Sequence, residues 1–360
     1  MIERIRWSDG YSISRLIKGG WHLAGGHGAV DPKRAIADMA KFVEAGITTF
    51  DCADIYTGVE ELIGSFRRAY PSLAASVQIH TKFVPDLPEL ATLDRPAIEA
   101  AIDRSLQRLG VDRLDLVQFH WWDFNVRRYA ETAFELDRLR RAGKIAHLGV
   151  TNFDTAHLHE LIQGGLSIAA HQLQYSLIDN RPAASMIELC RAHDIAVLCY
   201  GTVCGGFLSE RWLGRSEPGS SFDNRSLTKY KLIIDDFGGW ALFQELLGVL
   251  ARIAARHATE IASVATRAVL DRPQVAAAIV GATSSAHLAA HAQIDGLILD
   301  SEDRHAITAV TDRRRGPAGD VYMLERDRTG RHGQIMKYEL NAPPSGGQSS
   351  EKALHGVPPP

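Results

Sequence analysis

The chain has 360 residues, of which 45% are hydrophobic and 23% are charged, a balance typical of a folded globular protein. Its formal net charge of -3 gives no basic surface for nucleic acid or an anionic membrane, so a small-molecule partner is expected. The N-terminal residues "MIERIRWSDG" lack the apolar core of a signal peptide and no segment reaches about eighteen uninterrupted apolar residues, so we expect a cytoplasmic protein.

Helices that end at glycine alternate with short β-rich runs along the chain. A helix begins at Asp31 and Pro32 and ends at Gly46, before the run "ITTFD". Another begins at Pro96 and ends at Gly110, before "LDLVQFH", and "ETAFELDRLRRAG" is followed by "IAHLGVTNF". Strands that alternate with helices in this way indicate a parallel sheet.

The chain contains eight such candidate strands: "SRLIKGG", "ITTFD", "VQIHTKF", "LDLVQFH", "IAHLGVTNF", "AAHQLQYS", "AVLCYGT" and "AAAIVGA". Eight strands predict a closed (β/α)8 TIM barrel over residues 1–341, with a short N-terminal β-hairpin and a C-terminal extension. A doubly wound sheet is the rival fold. It is disfavoured because no strand leads into a G-x-G-x-x-G turn followed by an acidic residue about twenty positions later.

Three segments fall outside the repeat. Residues 204–239 form a long loop after the seventh strand, and their aromatic and aliphatic side chains favour a folded lid. Residues 316–341 are charged, and we expect them to cover the barrel mouth. Residues 342–360 are rich in Pro, Gly and Ser, which predicts a disordered tail.

Neither the cysteines nor the histidines predict a metal site. No CxxC pair occurs among the four cysteines, so reduced thiols are expected at Cys52, Cys190, Cys199 and Cys204. His287 and His291 are spaced i, i+4 on a predicted helix and could share a metal, but no third ligand has suitable spacing. An ordinary helix face is the favoured interpretation of that pair.

Four ionisable residues follow consecutive predicted strands. Asp51 and Tyr56 come after the second strand, Lys82 ends the third and His120 ends the fourth. Barrel enzymes assemble their active sites at these strand ends. Each residue alone is typical of a structural role, but together they form an acid catalyst. The lysine would lower the phenol pKa, the aspartate would hold the lysine, and a neutral histidine would orient a carbonyl oxygen.

These residues and their surroundings resemble the aldo-keto reductase family along nearly the whole chain to about Asn341. "FDCADIYTGVEELIG" resembles the Asp-(x)4-Tyr signature, "HTKF" the lysine strand and "LVQFHWWD" the histidine strand. The resemblance implies that Asp51, Tyr56, Lys82 and His120 form a catalytic tetrad with Tyr56 as general acid. It also implies NAD(P)H-dependent reduction of an aldehyde or ketone, or the reverse oxidation of an alcohol.

The resemblance extends to a cofactor site, with "LGVTNF" similar to the family's Gly-Val-Ser-Asn-Phe. It implies that Thr151, Asn152 and Gln172 bind the nicotinamide carboxamide and that Tyr200 stacks on the ring. The pyrophosphate and adenosine would lie against the other implied residues: Gly206, Phe207, Leu208, Gly281, Thr283, Ser284, Ser285, His287 and His291. NADP(H) is the family default. However, "GATSSAHLAAH" lacks the usual Arg or Lys partner of the extra phosphate, so NAD(H) or dual use is nearly as compatible with the sequence.

A substrate pocket with aromatic walls is expected from Trp21, Trp121, Trp122 and Trp212, with one of Trp121 and Trp122 facing inward. Such walls do not specify the carbonyl or alcohol substrate, and the chain is compatible with a monomer or a homo-oligomer. Two alternative functions remain open. One is an aldolase with Lys82 as Schiff-base nucleophile, and the other is a binding subunit that senses the nicotinamide cofactor without turnover.

Overall fold

The computed structural model describes residues 2–7, 9–24, 30–219, 222, 224–281 and 284–341. Ten strands occur in these ranges: β1 (Arg4–Arg6), β2 (Ser12–Ser14), β3 (Leu16–Gly19), β4 (Thr49–Asp51), β5 (Gln78–Phe83), β6 (Leu114–Phe119), β7 (Ile145–Thr151), β8 (Ala170–Gln174), β9 (Ala196–Tyr200) and β10 (Val275–Gly281). The tail predicted for residues 342–360 lies outside the described residues.

Strands β3 to β10 form a closed parallel barrel, in which each strand pairs with its neighbours in chain order and β10 pairs with β3. This confirms the predicted (β/α)8 fold. β1 and β2 form the predicted antiparallel hairpin. Ile13 of β2 is fully buried in one cluster with Ile17, Leu116 and Leu198 of the barrel. Because the hairpin closes the end where the strands begin, the opposite end is the one available for a site.

Helices connect the barrel strands and extend the chain beyond them: α1 (Pro32–Glu44), α2 (Val59–Ala69), α3 (Pro71–Ala74), α4 (Arg95–Leu109), α5 (Tyr129–Arg141), α6 (Thr155–Gln163), α7 (Ser185–Ala192), α8 (Arg225–Phe237), α9 (Gly239–Arg256), α10 (Ile261–Leu270), α11 (Leu288–Gly296), α12 (Ser301–Thr311) and α13 (Met323–Arg326). Local sequence signals explain several boundaries. The Asp31 carboxylate accepts a hydrogen bond from Lys33 N at 2.9 Å, and Gly110 ends α4 in the left-handed conformation. Within the described part of the chain, no helix is both long and apolar enough to cross a membrane.

The connection after β9 contains a helix that the sequence analysis treated as part of a long loop. Helix α8 begins where the Asn224 side chain accepts a hydrogen bond from Ser226 N at 2.7 Å. Its buried side chains Ile233, Ile234 and Phe237 pack in a second hydrophobic cluster with α9. The connection therefore contains a helix in its C-terminal half, and that helix packs in a hydrophobic cluster with α9.

Candidate active site

A cavity of about 850 Å³ opens at the ends of the barrel strands. Most of the residues that the sequence analysis singled out line it: Trp21, Asp51, Tyr56, Lys82, His120, Trp122, Thr151, Asn152, Gln172, Tyr200, Gly206, Leu208, Gly281, His287 and His291. Groups distant in the sequence thus meet because parallel strands all end at one mouth of the barrel.

Asp51 and Lys82 form a buried ion pair at the base of this cavity. The Lys82 ammonium donates to the Asp51 carboxylate at 2.7 Å and to the carbonyl oxygen of Cys52 at 2.8 Å. Both side chains are only 5% exposed. Although burial opposes the charged form, Asp51 raises the pKa of Lys82 above its ordinary value, so the ammonium stays charged.

Two glutamine side chains complete the surroundings of the Asp51 carboxylate. Gln172 donates to Asp51 Oδ1 at 2.6 Å, and Gln118 donates to the same oxygen at 3.2 Å. Gln172 also donates to Gln118 Oε1 at 3.0 Å. The sequence analysis missed Gln118. Its position two residues before His120, on the same face of β6, is the signal that identifies it.

Tyr56 is adjacent to this pair. Lys82 Nζ lies 4.9 Å from the centre of the Tyr56 ring, and Trp21 packs against that ring edge-on at 5.0 Å. Burial raises the pKa of Tyr56 to about 12, and Lys82 only partly opposes this shift. The sequence analysis expected the lysine to lower the phenol pKa, but desolvation exceeds its effect.

His120 faces the cavity as a neutral ring. Burial, aided by the positive charges of Arg326 and Lys82, lowers its pKa to about 3. Nδ1 lies 3.2 Å from the carbonyl oxygen of Thr151, while Nε2 has no hydrogen-bond partner among the described residues. The Trp122 ring packs edge-on against the imidazole, with 4.2 Å between the ring centres, and this contact restricts the orientation of the His120 ring.

The end of β7 presents amide groups to the same cavity. Asn152 adopts a positive φ of 60°, which asparagine tolerates better than most residues, and the chain turns there. Its side-chain oxygen accepts a hydrogen bond from the Tyr200 hydroxyl at 2.9 Å. This contact joins the ends of β7 and β9 and holds the tyrosine ring at the cavity wall.

The turn after β9 leaves space for a ligand. Gly206 lines the cavity, has a positive φ of 96° and has no atom within 4 Å of the position that a Cβ would occupy. Together with the amide groups of Asn152 and Gln172, this open turn fits a dinucleotide that carries a carboxamide and a pyrophosphate.

Some of the residues assigned to the cofactor site are not among those that line the cavity. Phe207 is fully buried, and its ring packs 4.7 Å from Trp212 instead of facing the cavity. The Ser284 hydroxyl accepts a hydrogen bond from Ala286 N, and Ser285 donates to Asp38 at 2.8 Å. Thr283 lies outside the described residues.

Two of the four tryptophans expected in the pocket are not among the residues that line it. Trp121 is fully buried, and its indole N–H donates to the carbonyl oxygens of Asp123 and Val126. Trp212 packs against Phe207 and Trp240 in the cluster beneath the lid. Trp122 is therefore the inward member of the adjacent pair. Strand alternation explains why Trp121 points the other way.

The polar residues that surround Tyr56 in sequence support the strand ends. Asp54 accepts from Val84 N at 3.0 Å, and burial raises its pKa to about 8. Glu60 accepts from the Thr81 hydroxyl at 2.6 Å and pairs with Arg108 at 3.3 Å. These contacts tie β4 and β5 to helices α2 and α4.

The C-terminal extension supplies walls that the sequence analysis did not specify by residue. Five of its residues line the cavity: Tyr322, Ile335, Met336, Lys337 and Leu340. Tyr322 meets the His120 ring edge-on at 5.6 Å. The segment is anchored by Glu325, which accepts two hydrogen bonds from Arg181 at 2.8 and 3.0 Å, and by Arg326, which donates to Asn152 O at 2.6 Å.

Comparison with known proteins agrees with this geometry. A sequence model of the aldo/keto reductase family matches residues 15–312. The aldo-keto reductase YhdN of Bacillus subtilis (strain 168) is 27% identical over 325 residues, which cover 87% of this chain and 95% of the relative. An NADH-specific methylglyoxal reductase of Escherichia coli (strain K12) is 27% identical over 234 residues, 59% of this chain and 71% of that enzyme.

A solved structure shares the fold. The glycerol dehydrogenase of Gluconobacter oxydans superimposes with a TM-score of 0.73 at 22% identity, covering 89% of this chain and 98% of that one. The family match spans most of the barrel, including the strand ends that meet at the cavity. This chain therefore belongs to the aldo/keto reductase family.

Proposed function

We propose that the protein reduces an aldehyde or ketone to an alcohol with NAD(P)H, reversibly, and that Tyr56 is the general acid. The observation that carries the proposal is the position of the Lys82 ammonium. Asp51 and Cys52 O hold it 4.9 Å from the centre of the Tyr56 ring, in one cavity with the neutral His120. A charged lysine buried beside a phenol in a cavity at the strand ends is typical of a catalytic site.

Each member of the tetrad has a distinct task. The nicotinamide cofactor, when bound, supplies the hydride that reaches the carbonyl carbon. Tyr56 donates its hydroxyl proton to the carbonyl oxygen, and the adjacent Lys82 stabilises the phenolate that remains. Asp51 keeps Lys82 charged and in position, and it is itself held by Gln118 and Gln172.

His120 orients the oxygen at the reacting carbon. A neutral imidazole carries one ring proton, and the Thr151 carbonyl can only accept a hydrogen bond. The 3.2 Å contact therefore favours the proton on Nδ1 and leaves Nε2 as an acceptor. Nε2 would accept a hydrogen bond from the hydroxyl group of the alcohol, so His120 orients the alcohol form of the substrate.

The cofactor would lie along the wall from Tyr200 to His287. Asn152 and Gln172 would bind its carboxamide, Tyr200 would stack on the nicotinamide ring, and the open turn at Gly206 would accept the pyrophosphate. Within residues 284–291 the segment after β10 has no Arg or Lys. Lys41 reaches Ser285 at 3.3 Å but is paired with Asp38 at 3.1 Å. We therefore propose that both NADH and NADPH are used.

The test compares Tyr56→Phe with Tyr175→Phe, measuring NAD(P)H consumption at 340 nm across a panel of aldehydes, ketones and sugars. Tyr175 is buried outside the cavity, so its variant loses the same hydroxyl without touching the site. General acid catalysis contributes about two to four orders of magnitude, and we expect Tyr56→Phe to lose that much in kcat. Cofactor affinity should remain within about twofold. Turnover near the wild-type value in Tyr56→Phe would refute the assignment.

The same geometry disfavours the aldolase, and the assay distinguishes the binding subunit. A Schiff-base lysine must be neutral to attack a carbonyl, whereas Asp51 raises the pKa of Lys82. Trapping with borohydride and substrate should leave Lys82 unmodified. A binding subunit that only senses the cofactor would bind NAD(P)H without turnover on any member of the carbonyl panel.

A further inference from the structure

Helix α8 places two cations over the cavity. Arg225 and Lys229 are four residues apart, so they lie on one face of the helix, and both line the cavity. Like charges at this spacing destabilise a helix. An anion between the two side chains would offset that repulsion.

The Lys229 ammonium has no hydrogen-bond acceptor at close range among the described residues. Its side chain is 14% exposed, and its ammonium lies 5.1 to 5.8 Å from the centres of three aromatic rings, those of Tyr200, Tyr230 and Tyr322. The nearest carboxylate is Glu325 at 3.9 Å, beyond hydrogen-bond distance. Glu325 is already bound by Arg181 through two short contacts. Burial lowers the pKa of Lys229, as expected for an ammonium that lacks close acceptors.

Arg225 is more exposed than Lys229. Its guanidinium makes no hydrogen bond or ion pair with any residue that the structure describes, and partial burial lowers its pKa. A guanidinium has five donors arranged to match a carboxylate, and such a group on a cavity wall is suited to a bidentate contact.

The face that carries both cations lies over the proposed proton donor. Ser226, next to Arg225, accepts a hydrogen bond from the Trp21 indole at 3.3 Å, and Trp21 packs on Tyr56. On the other side, the Tyr322 ring that borders Lys229 meets His120. The two cations therefore face the space above the reacting carbonyl.

We propose that Arg225 and Lys229 bind an anionic oxygen group of the substrate, so that the protein prefers carbonyl compounds that carry a carboxylate. This proposal rests on the proposed reductase function of the same cavity. Lys229 would contact the carboxylate from inside the cavity, and Arg225 would contact it from the rim.

A matched substrate pair tests the proposal: 4-formylbenzoate and its methyl ester, which share the aldehyde and ring and differ in charge. Charge-assisted hydrogen bonds predict that Lys229→Met lowers the ratio of kcat/KM for the acid to that for the ester by about 10- to 100-fold, mainly through KM. Lys231→Met is the control. Lys231 is on the same helix but pairs with Glu217 at 2.7 Å and Asp235 at 2.5 Å and does not line the cavity. Its variant should keep the wild-type ratio.

Two further measurements separate the possible failures. If Lys229→Met slows both aldehydes equally and weakens NAD(P)H binding, the cations serve the cofactor and the proposal is overturned. If neither aldehyde is reduced, the reductase function fails for this pair. Quenching of tryptophan fluorescence by 4-formylbenzoate then decides the binding proposal alone. Binding that weakens about tenfold or more in Lys229→Met but not in Lys231→Met supports it, and equal binding by all three proteins refutes it.

Discussion

The Asp51–Lys82 pair allows a quantitative prediction about stability. Both side chains are 5% exposed, and their charged atoms are 2.7 Å apart. Removing one member of a buried pair leaves the other charge without compensation, which costs about 3–5 kcal/mol. Asp51→Asn leaves Lys82 with only neutral acceptors, among them Cys52 O. Lys82→Met leaves Asp51 with the amide donors of Gln118 and Gln172. The double variant removes both charges at once.

We therefore expect the double variant to be less destabilised than the sum of the single variants, by a coupling energy of about 1–3 kcal/mol. Urea denaturation followed by circular dichroism measures each free energy of unfolding. kcat should be severely reduced in all three variants. The coupling between the two charges is therefore measured only by the free energies of unfolding. Additivity within about 0.5 kcal/mol would show that the two groups do not form one electrostatic unit and would refute the reasoning.

Three other predictions use the same measurements. Burial lowers the pKa to about 3 for three histidines: His80, His120 and His171. Below about pH 6.5 the unfolded chain binds protons at these rings, whereas the folded chain does not. Each of the three histidines should therefore lower the free energy of unfolding by roughly 2 kcal/mol when the pH falls from 7 to 5. A urea midpoint that is constant over this range would contradict those pKa values. Gly64→Ala should destabilise by roughly 1–3 kcal/mol, because its Cβ would meet Arg108 O at 2.1 Å. Gly248→Ala in α9 should stabilise slightly, because its Cβ would meet only the Arg252 side chain, at an ordinary contact distance of 3.8 Å. Finally, NADH and NADPH should bind with similar affinity by fluorescence titration. NADPH binding that is much tighter and weakens steeply with salt would reveal a phosphate clamp.

The barrel and the residues of the proposed tetrad were accessible from sequence because their signals are local. Helices that end at glycine, such as the one before Gly110, alternate with short β-rich runs, and this order permits few folds. Because the strands are parallel, the residues that follow them must lie at the same end of the barrel. Asp51, Lys82 and His120 could therefore be placed together without knowledge of a single distance.

The remaining features depend on packing between segments far apart in the chain. Trp121 follows the end of β6 and Trp212 lies in the connection after β9, so the sequence placed both near the cavity. Only tertiary packing shows that neither residue lines it. The start of α8 at Asn224 was obscured by the Ser- and Gly-rich residues before it. The net pKa of Tyr56 likewise depends on how much solvent is excluded, a quantity that residue types do not specify.

The raised pKa of Tyr56 leads to a prediction about the direction of the reaction. A phenol with a pKa of about 12 is protonated at neutral pH. It donates favourably to an alkoxide oxygen, whose basicity approaches that of hydroxide, the conjugate base of water with a pKa of about 15.7. Alcohol oxidation requires the phenolate instead, which at pH 7 is about 10⁻⁵ of the population for such a pKa.

We therefore expect kcat for reduction to be flat between about pH 6 and 9, while kcat for oxidation rises almost tenfold per pH unit over the same range. Measuring both directions with one cofactor and one carbonyl–alcohol pair checks this difference. The neutral His120 does not titrate in this window, because its pKa is about 3, so it cannot produce the slope. Parallel profiles in the two directions would mean that the proton moves through a group other than Tyr56.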